Sequence, residues 1–233
     1  MTLARRATCE CVGTAILVAA VVGSGVMAQR LTGGNVGLAL LANAVATGGA
    51  LVAIIAAFGP ISGGHFNPAV SLSDASAGGI SWRDAGGYCG AQVAGGIMGA
   101  VLANVMFGLP AVSFAQHARS GGLQWVSEFV ATFGLLCVIW GSARFRSALV
   151  PFAVAGYIVA AYWFTPSTSF ANPAVTIGRT LSDTFAGIRV VDVGPFVIAQ
   201  LAGAAAATAL FAWLAPRLKA DAANIVVPHE AGV

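Results

Sequence analysis

The tetrapeptide Asn-Pro-Ala-Val occurs twice in this chain, at 67–70 and at 172–175, and the two copies are 105 positions apart. Asn is a favoured helix N-cap and Pro is favoured at the first helical position, so each copy predicts the start of a helix. Each copy follows a short run rich in Gly, Ser, Thr or Pro, and the apolar residues around it are too few to cross a bilayer alone. The fold must therefore accommodate two short helices, each preceded by a non-helical loop.

The rest of the chain is too apolar to form a water-soluble surface. Of the 233 residues 58% are hydrophobic and only 8% are charged, whereas soluble domains carry about 25% charged residues. A net charge of +3 gives no indication of nucleic-acid binding. Six stretches reach the length of about 20 residues that a bilayer crossing requires. They lie near 7–28, 37–58, 85–107, 124–143, 147–165 and 194–215.

Three sequence blocks recur in the same order in the two halves of the chain. Besides the Asn-Pro-Ala-Val copies, segment 10–14 matches 128–132 and segment 91–95 matches 199–203. Each half contains three spans, and because three is odd, the halves must enter the membrane from opposite sides, which gives an inverted repeat. We therefore expect a first repeat at 1–116, a second repeat at 117–215 and a cytoplasmic tail at 216–233.

The basic residues predict the orientation of the spans. With the N-terminus inside, seven of the eleven Lys and Arg fall on inner segments and four fall on outer segments. This excess agrees with the positive-inside rule. We expect a multi-pass protein of the cell inner (plasma) membrane with both termini in the cytoplasm.

The inversion predicts where the two short helices meet. A helix of ten residues is about 15 Å long, so two such helices placed end to end fill a hydrocarbon core of roughly 30 Å. Non-helical backbone at this depth must be buried in protein or line a wet cavity. Each capping Asn uses its oxygen on its own helix and leaves its NH₂ free for a passing solute. Two positive helix ends repel cations, so the site suits water and small neutral hydroxylated molecules.

Several of these features together resemble one known family. They are the two Asn-Pro-Ala boxes, the Ser-Gly-Gly-His-Phe context of the first box, Glu10 and Glu128 in spans one and four, and the Ala-Gln element of span three. This combination resembles the aquaporin and glycerol-facilitator family of major intrinsic proteins, and it covers nearly the whole chain. The resemblance implies an all-α membrane protein with six transmembrane helices and two re-entrant half-helices. It also implies a homotetramer in the lipid bilayer, with no cofactor.

The same resemblance assigns roles to four polar residues. It implies that Asn67 and Asn172 are paired donors in a pore for small neutral solutes. It further implies that Glu10 and Glu128 brace the two re-entrant loops by accepting hydrogen bonds from backbone N–H groups. A buried carboxylate within a membrane requires such partners in any case.

The residue after the second box departs from the family pattern. Most members have Arg there, where this chain has Val175. Counting back from the boxes by 20, 12 and 3 positions places the other filter residues at Thr47, at Ala160 to within one position, and at Ser169. Without an aromatic, His or Arg, we expect a wide, weakly polar filter for glycerol, urea, arsenous acid and similar metalloid hydroxides. The stretch around Val175 also resembles a bacterial branch associated with arsenite, and arsenic is suggested by that resemblance alone.

Three charged or titratable residues near the boxes allow more than one interpretation. Arg179 lies four residues after Val175, on the same helix face and about 6 Å nearer the outside. It could lean into the vestibule as a displaced filter residue, which would favour a strict water channel. We favour an interfacial Arg179 paired with Asp183, since Arg side chains extend toward water. His65 could titrate in the vestibule, although a structural hydrogen bond is the simpler interpretation, and we expect Asp74 to be an interfacial charge.

Two other classes of membrane protein compete with a passive channel. Coupled transporters also use inverted repeats with broken helices, but coupling requires titratable residues along the pathway. Only Glu10 and Glu128 qualify, and both have a bracing role available. No Ser/His/Asp set, metal-ligand cluster or pair of carboxylates indicates an enzyme. The sequence therefore predicts a channel with neither metal nor enzymatic activity.

Overall fold

The computed structural model describes residues 1–145 and 147–215, and the expected tail at 216–233 lies outside the described residues. This part of the chain contains eight α-helices and no β-strand. The helices are α1 (Leu3–Leu31), α2 (Val36–Ser62), α3 (Pro68–Ala77), α4 (Trp82–Met106), α5 (Gly122–Phe145), α6 (Val150–Phe164), α7 (Pro173–Gly178) and α8 (Val190–Leu214). Short 3-10 turns precede α6, at Ser147–Leu149, and follow α7, at Arg179–Leu181.

Five of the described helices are long and apolar enough to cross a membrane, namely α1, α2, α4, α5 and α8. The sixth predicted span, at 147–165, is represented by α6, which is apolar but has only 15 residues. It is shorter than expected because the chain first makes a 3-10 turn. The helix then starts around Pro151, close to the first helical position that proline favours.

Both Asn-Pro-Ala-Val copies begin a short helix. The side chain of Asn67 accepts a hydrogen bond from the backbone N–H of Ala69, and Asn172 accepts from the N–H groups of Ala174 and Val175. These are N-caps of the expected kind, so the two predicted helix starts are confirmed. The two helices differ in length: α3 has ten residues, whereas α7 has six and is followed directly by the 3-10 turn.

Glycines bring the long helices into backbone contact at equivalent places in the two halves. A Cβ atom added to Gly95 of α4 would overlap the carbonyl of Cys11 in α1, and one added to Gly203 of α8 would overlap the carbonyl of Phe129 in α5. Positions 11 and 129, like positions 95 and 203, are equivalent in the repeated blocks. Small residues allow this close approach of membrane helices, so each half contains the same tightly packed helix pair.

The short helix α7 is held against α4 in the same manner. A Cβ atom on Gly96 would lie 2.6 Å from the carbonyl oxygen of Ala174, and one on Gly178 would lie 2.8 Å from the carbonyl carbon of Gly96. Neither position has room for a side chain. The contact fixes α7 beside α4, and with it the loop that precedes Asn172.

We expect Gly95→Val to destabilise the protein, because the added carbons would force the backbones of α1 and α4 apart. Overpacking of this kind costs typically about 1–3 kcal/mol. The measurement is thermal unfolding of the purified protein in detergent. Gly90→Val is the matched control, since Gly90 lies on the exposed side of the same helix and a Cβ atom added there would have no neighbouring atom within 4 Å. Equal melting temperatures for the two variants would contradict the packing account.

Candidate functional site

The loops before α3 and α7 are joined by a reciprocal pair of hydrogen bonds. Asn67 Nδ2 donates to the carbonyl oxygen of Ala171, and Asn172 Nδ2 donates to that of Phe66, each at 2.8 Å. Phe66 and Ala171 both adopt a left-handed backbone with φ of 48°, which non-glycine residues rarely do. Strain of this kind persists only where the surroundings impose it. Here it accompanies the two carbonyls that face the opposite asparagines.

The reciprocal pair changes what the asparagine amides can offer to a solute. An Asn NH₂ group has two hydrogens, and each of these amides uses one on the opposite loop. The expectation that the whole NH₂ is free for a solute is therefore wrong, and one N–H remains on Asn67 and one on Asn172. Both side chains are buried and both line the same cavity.

Glu10 of α1 holds the first loop through both of its carboxylate oxygens. Oε1 accepts from the backbone N–H of His65 at 3.0 Å and from Ser62 Oγ at 2.6 Å. Oε2 accepts from the backbone N–H of Phe66 at 2.6 Å and from Gln92 Nε2 at 2.8 Å. Glu10 is fully buried, and these four donors replace the water that a buried carboxylate would otherwise require.

Glu128 of α5 holds the second loop in the equivalent way. Its two oxygens accept from the backbone N–H groups of Phe170 and Ala171, each at 2.9 Å. Gln200 Nε2 donates to Oε2 at 2.6 Å and also to Thr176 Oγ1 at 2.9 Å. Each half of the molecule thus contains one buried glutamate, one glutamine and two loop N–H groups in a single hydrogen-bond network.

A narrow cavity, called here the central cavity, runs past the two asparagines. Its wall is mostly apolar, with side chains from α1, α2, α5 and α6. Its polar residues are Thr47, His65, Asn67, Tyr162, Ser169, Asn172 and Arg179. Among residues 1–145 and 147–215 no group of three or more His, Cys, Asp and Glu could hold a metal ion. The cavity therefore offers isolated hydrogen-bonding groups on an apolar surface.

Three of the four predicted filter residues line the central cavity, and the fourth does not. Thr47, Ser169 and Val175 belong to its wall. The Oγ of Ser169 is buried and has no hydrogen-bond partner among the described residues. Ala160 is exposed on the outer side of α6, and Tyr162 lines the cavity instead.

The count that pointed to Ala160 was wrong, because the nearest cavity-lining residues of α6 are Ile158 and Tyr162, each two positions away. Residues two apart on an α-helix point about 200° away from each other, so this error moves a side chain from the cavity to the opposite face. The hydroxyl of Tyr162 lies 3.2 Å from Thr47 Oγ1. The sequence analysis missed this tyrosine, and no sequence signal in α6 distinguishes the cavity-facing positions from their apolar neighbours.

Arg179 lines the central cavity, so its favoured assignment as an interfacial residue is wrong. Its side chain is 2% exposed, and Nε donates to the carbonyl of Ala186. The guanidinium carbon lies 3.4 Å from the ring centroid of Phe170. Asp183 accepts instead from the backbone N–H of Gln116 at 2.9 Å. The expected pairing assumed a continuous α-helix, but α7 ends at Gly178 and the chain is extended at residue 182.

The titratable residues near α3 form a buried cluster. His65 Nδ1 lies 3.0 Å from Ser71 Oγ, and His65 Nε2 lies 3.5 Å from Asp74 Oδ2. Asp74 is 4% exposed, so the expectation of an interfacial charge is wrong. His65 lines the central cavity and also makes structural contacts.

Comparison with known proteins identifies the family. Residues 1–164 match the sequence profile described as Major intrinsic protein. The aquaglyceroporin AqpS of Rhizobium meliloti (strain 1021) is 53% identical over 212 residues, which cover 91% of this chain and 91% of that protein. This chain belongs to the major intrinsic protein family.

Two further similarities each cover more than nine tenths of this major intrinsic protein. A probable aquaporin, AqpM of Archaeoglobus fulgidus, is 32% identical over 244 residues, covering 92% of this chain and 98% of that protein. The X-ray structure of the aquaglyceroporin from Plasmodium falciparum covers 94% of this chain and 100% of its own, with a TM-score of 0.70 and 18% identity. That structural similarity supports the aquaporin-like fold.

Family membership determines the general class of activity. Major intrinsic proteins are channels, so this chain is a multi-pass membrane channel that passes small solutes and is not an enzyme. The resemblance to the aquaporin and glycerol-facilitator family is confirmed at this level.

We expect Glu128→Gln to weaken the second loop, because an amide has only one acceptor oxygen and places an NH₂ against donor groups. An unsatisfied buried N–H costs about 1–3 kcal/mol, so the melting temperature in detergent should fall clearly. Asp84→Asn is the control, since Asp84 forms a partly exposed ion pair with Arg6 that should contribute about 0–1 kcal/mol. A Glu128→Gln protein as stable as the wild type would contradict this role of the carboxylate.

Proposed function

We propose that the protein is a passive channel for small neutral hydroxylated solutes larger than water, including glycerol, urea, arsenous acid and similar metalloid hydroxides. The observation that carries the proposal is the central cavity, which passes both Asn67 and Asn172 and reaches Val175 where the family usually has Arg. In this proposal the arsenite association rests on the sequence resemblance. Glycerol is additionally supported by the name of the relative that is 53% identical.

Hydrogen bonds spaced along the cavity provide the mechanism of conduction. Asn67 and Asn172 each retain one N–H for the solute, and Ser169 Oγ is buried without a partner among the described residues. A solute with hydroxyl groups regains at these points the hydrogen bonds that it loses on leaving water. Its carbon or metalloid side contacts the apolar wall. Each contact is weak enough to be exchanged for the next, so conduction needs no energy input.

Glu10 and Glu128 act as braces in this mechanism. Backbone at this depth must be fully hydrogen-bonded or face a wet cavity, and the two carboxylates accept four loop N–H groups between them. The braces hold the loop backbone in place beside the central cavity. Because both carboxylates are fully buried and engaged, they are poor candidates for proton coupling.

A strict water channel is the second candidate, and the position of Arg179 favours it. Arg179 and Tyr162 both line the central cavity, which makes it narrower and more polar than the four predicted filter residues suggested. We favour the solute channel because Val175 leaves the usual arginine position unfilled. Arg179 lies one helical turn farther from the asparagine pair.

We also propose the organisation of the protein in the cell. The inverted repeats comprise 1–116 and 117–215, and both termini are cytoplasmic in the inner membrane. Helices that cross the bilayer expose many apolar side chains, some of which would be covered in the homotetramer that the family resemblance implies.

Swelling of proteoliposomes tests the channel proposal. We expect glycerol, urea and arsenous acid each to permeate faster than in protein-free vesicles, driven by the solute gradient alone. Imposed pH gradients and membrane potentials should leave the initial rates unchanged. Solute uptake that depends on a proton gradient would contradict the passive mechanism and favour the coupled transporter.

Val175→Arg separates the two candidates. The larger, charged arginine side chain should reduce glycerol and arsenite flux much more than water flux. All three fluxes are measured by light scattering. Val175→Leu is the control for a change of bulk without charge. If the arginine variant keeps the wild-type solute profile, Val175 does not set the width of the filter, and the wide-filter account is contradicted.

A further inference from the structure

A buried arginine in the loop between α4 and α5 contacts the backbone around the second loop. Arg119 is 6% exposed, its Nε donates to the carbonyl of Gly187 at 2.9 Å and its Nη1 donates to the carbonyl of Ser167 at 3.0 Å. Its backbone N–H donates to Asp192 Oδ2 at 2.9 Å. The side chain thus occupies two carbonyl acceptors beside the wall of the central cavity.

Arg119 breaks the correspondence between the two halves of the molecule. In the first half the carbonyl of Ser62 accepts from the hydroxyl of Tyr88. The equivalent carbonyl in the second half is that of Ser167, and the residue equivalent to Tyr88 is Phe196, which has no hydroxyl. Arg119 fills this gap with a cation where the first half has a neutral group.

Arg119 and Arg179 share one aromatic ring. Their guanidinium carbons lie 4.9 Å and 3.4 Å from the ring centroid of Phe170. The two cations are therefore close enough to repel each other. Burial lowers the pKa of Arg119 to about 10, so this side chain is still charged at neutral pH.

The side chain of Arg119 donates to more backbone carbonyls than that of Arg179 does. Arg119 holds the carbonyls of Ser167 and Gly187, and among the described residues Arg179 makes a side-chain hydrogen bond only through Nε, to Ala186. The Nη1 and Nη2 groups of Arg179 have no protein acceptor there. A cationic donor group that is buried in a cavity wall requires an acceptor, and a solute oxygen in the cavity can supply it.

We propose that Arg179 is a specificity-determining donor for hydroxylated solutes and that Arg119 is its positioning residue. This inference rests on the proposed channel function. By occupying the neighbouring carbonyls and by repulsion, Arg119 prevents Arg179 from satisfying its Nη groups on the protein. The Nη groups then stay available to the solute. A solute that lacks one hydroxyl leaves a buried charged donor unpaired, and such a site discriminates strongly against it.

The test compares glycerol with propane-1,2-diol, which lacks one hydroxyl and is similar in size. Proteoliposome swelling gives the two protein-dependent rates on the same vesicles, after subtraction of the rates in protein-free vesicles. Their ratio does not depend on how much protein is folded, so it separates a change in specificity from a loss of stability. We expect the wild type to prefer glycerol.

Arg179→Met keeps an unbranched side chain and removes its donors and charge, so the glycerol preference should fall roughly tenfold, as for a lost charge-assisted hydrogen bond. Arg119→Met should lower it to a similar extent, because Arg179 can then bond to the freed carbonyls. The double variant should be no less selective than Arg179→Met alone, since residues that act through one another are not additive.

Arg30→Met is the control with the same change of charge and shape. Arg30 is exposed and donates to the carbonyl of Phe107, so the ratio should stay at the wild-type value. If Arg119→Met does not fold, Arg119→Gln replaces it, because Gln retains one donor without the charge and should still lower the ratio.

Separate results would overturn the separate claims. An unchanged ratio in Arg179→Met, or a wild type without preference, means that Arg179 does not donate to the solute. An unchanged ratio in the Arg119 variants, or additive losses in the double variant, means that Arg119 does not act through Arg179. A wild type without protein-dependent solute uptake would instead overturn the proposed channel function.

Discussion

The structure depends on the hydrogen bonds that hold two non-helical loops between membrane helices. Loop backbone at this depth has no bulk water to satisfy it. Glu10 and Glu128 accept hydrogen bonds from the loop N–H groups, and the Asn67 and Asn172 amides donate to carbonyls of the opposite loop. Because each loop satisfies the other, neither arrangement is complete alone, and the central cavity exists only where both are in place.

Close helix packing keeps these partners within hydrogen-bond reach. Gly95 and Gly203 bring α4 against α1 and α8 against α5. The glutamine and the glutamate of each network lie on these paired helices, at Gln92 with Glu10 and at Gln200 with Glu128. A larger residue at either glycine would separate the glutamine donor from the glutamate acceptor. The hydrogen bonds of the buried glutamates therefore depend on the close packing of the helices.

We propose that selectivity arises where the two halves of the molecule differ. The first half satisfies the carbonyl of Ser62 with a tyrosine hydroxyl, while the second satisfies that of Ser167 with Arg119. Arg179 and Tyr162 add larger polar side chains to a wall where a count from the sequence motifs places only small residues. The resulting cavity is apolar on most of its wall and presents a few donors, which is the combination that a small hydroxylated solute requires.

The sequence by itself determined the membrane class, the two helix starts and the residues that would need partners, because hydropathy, N-cap chemistry and buried charge act locally or through composition. It also determined that Asn67 and Asn172 belong to equivalent loops. Only the tertiary structure decided which side chains face the cavity. A shift of two positions turns an α-helical side chain to the opposite face, as at Ala160 and Tyr162, and a 3-10 turn redirects Arg179 from Asp183 to Ala186. Such directions depend on where helices end and pack, which no local pattern of residues specifies.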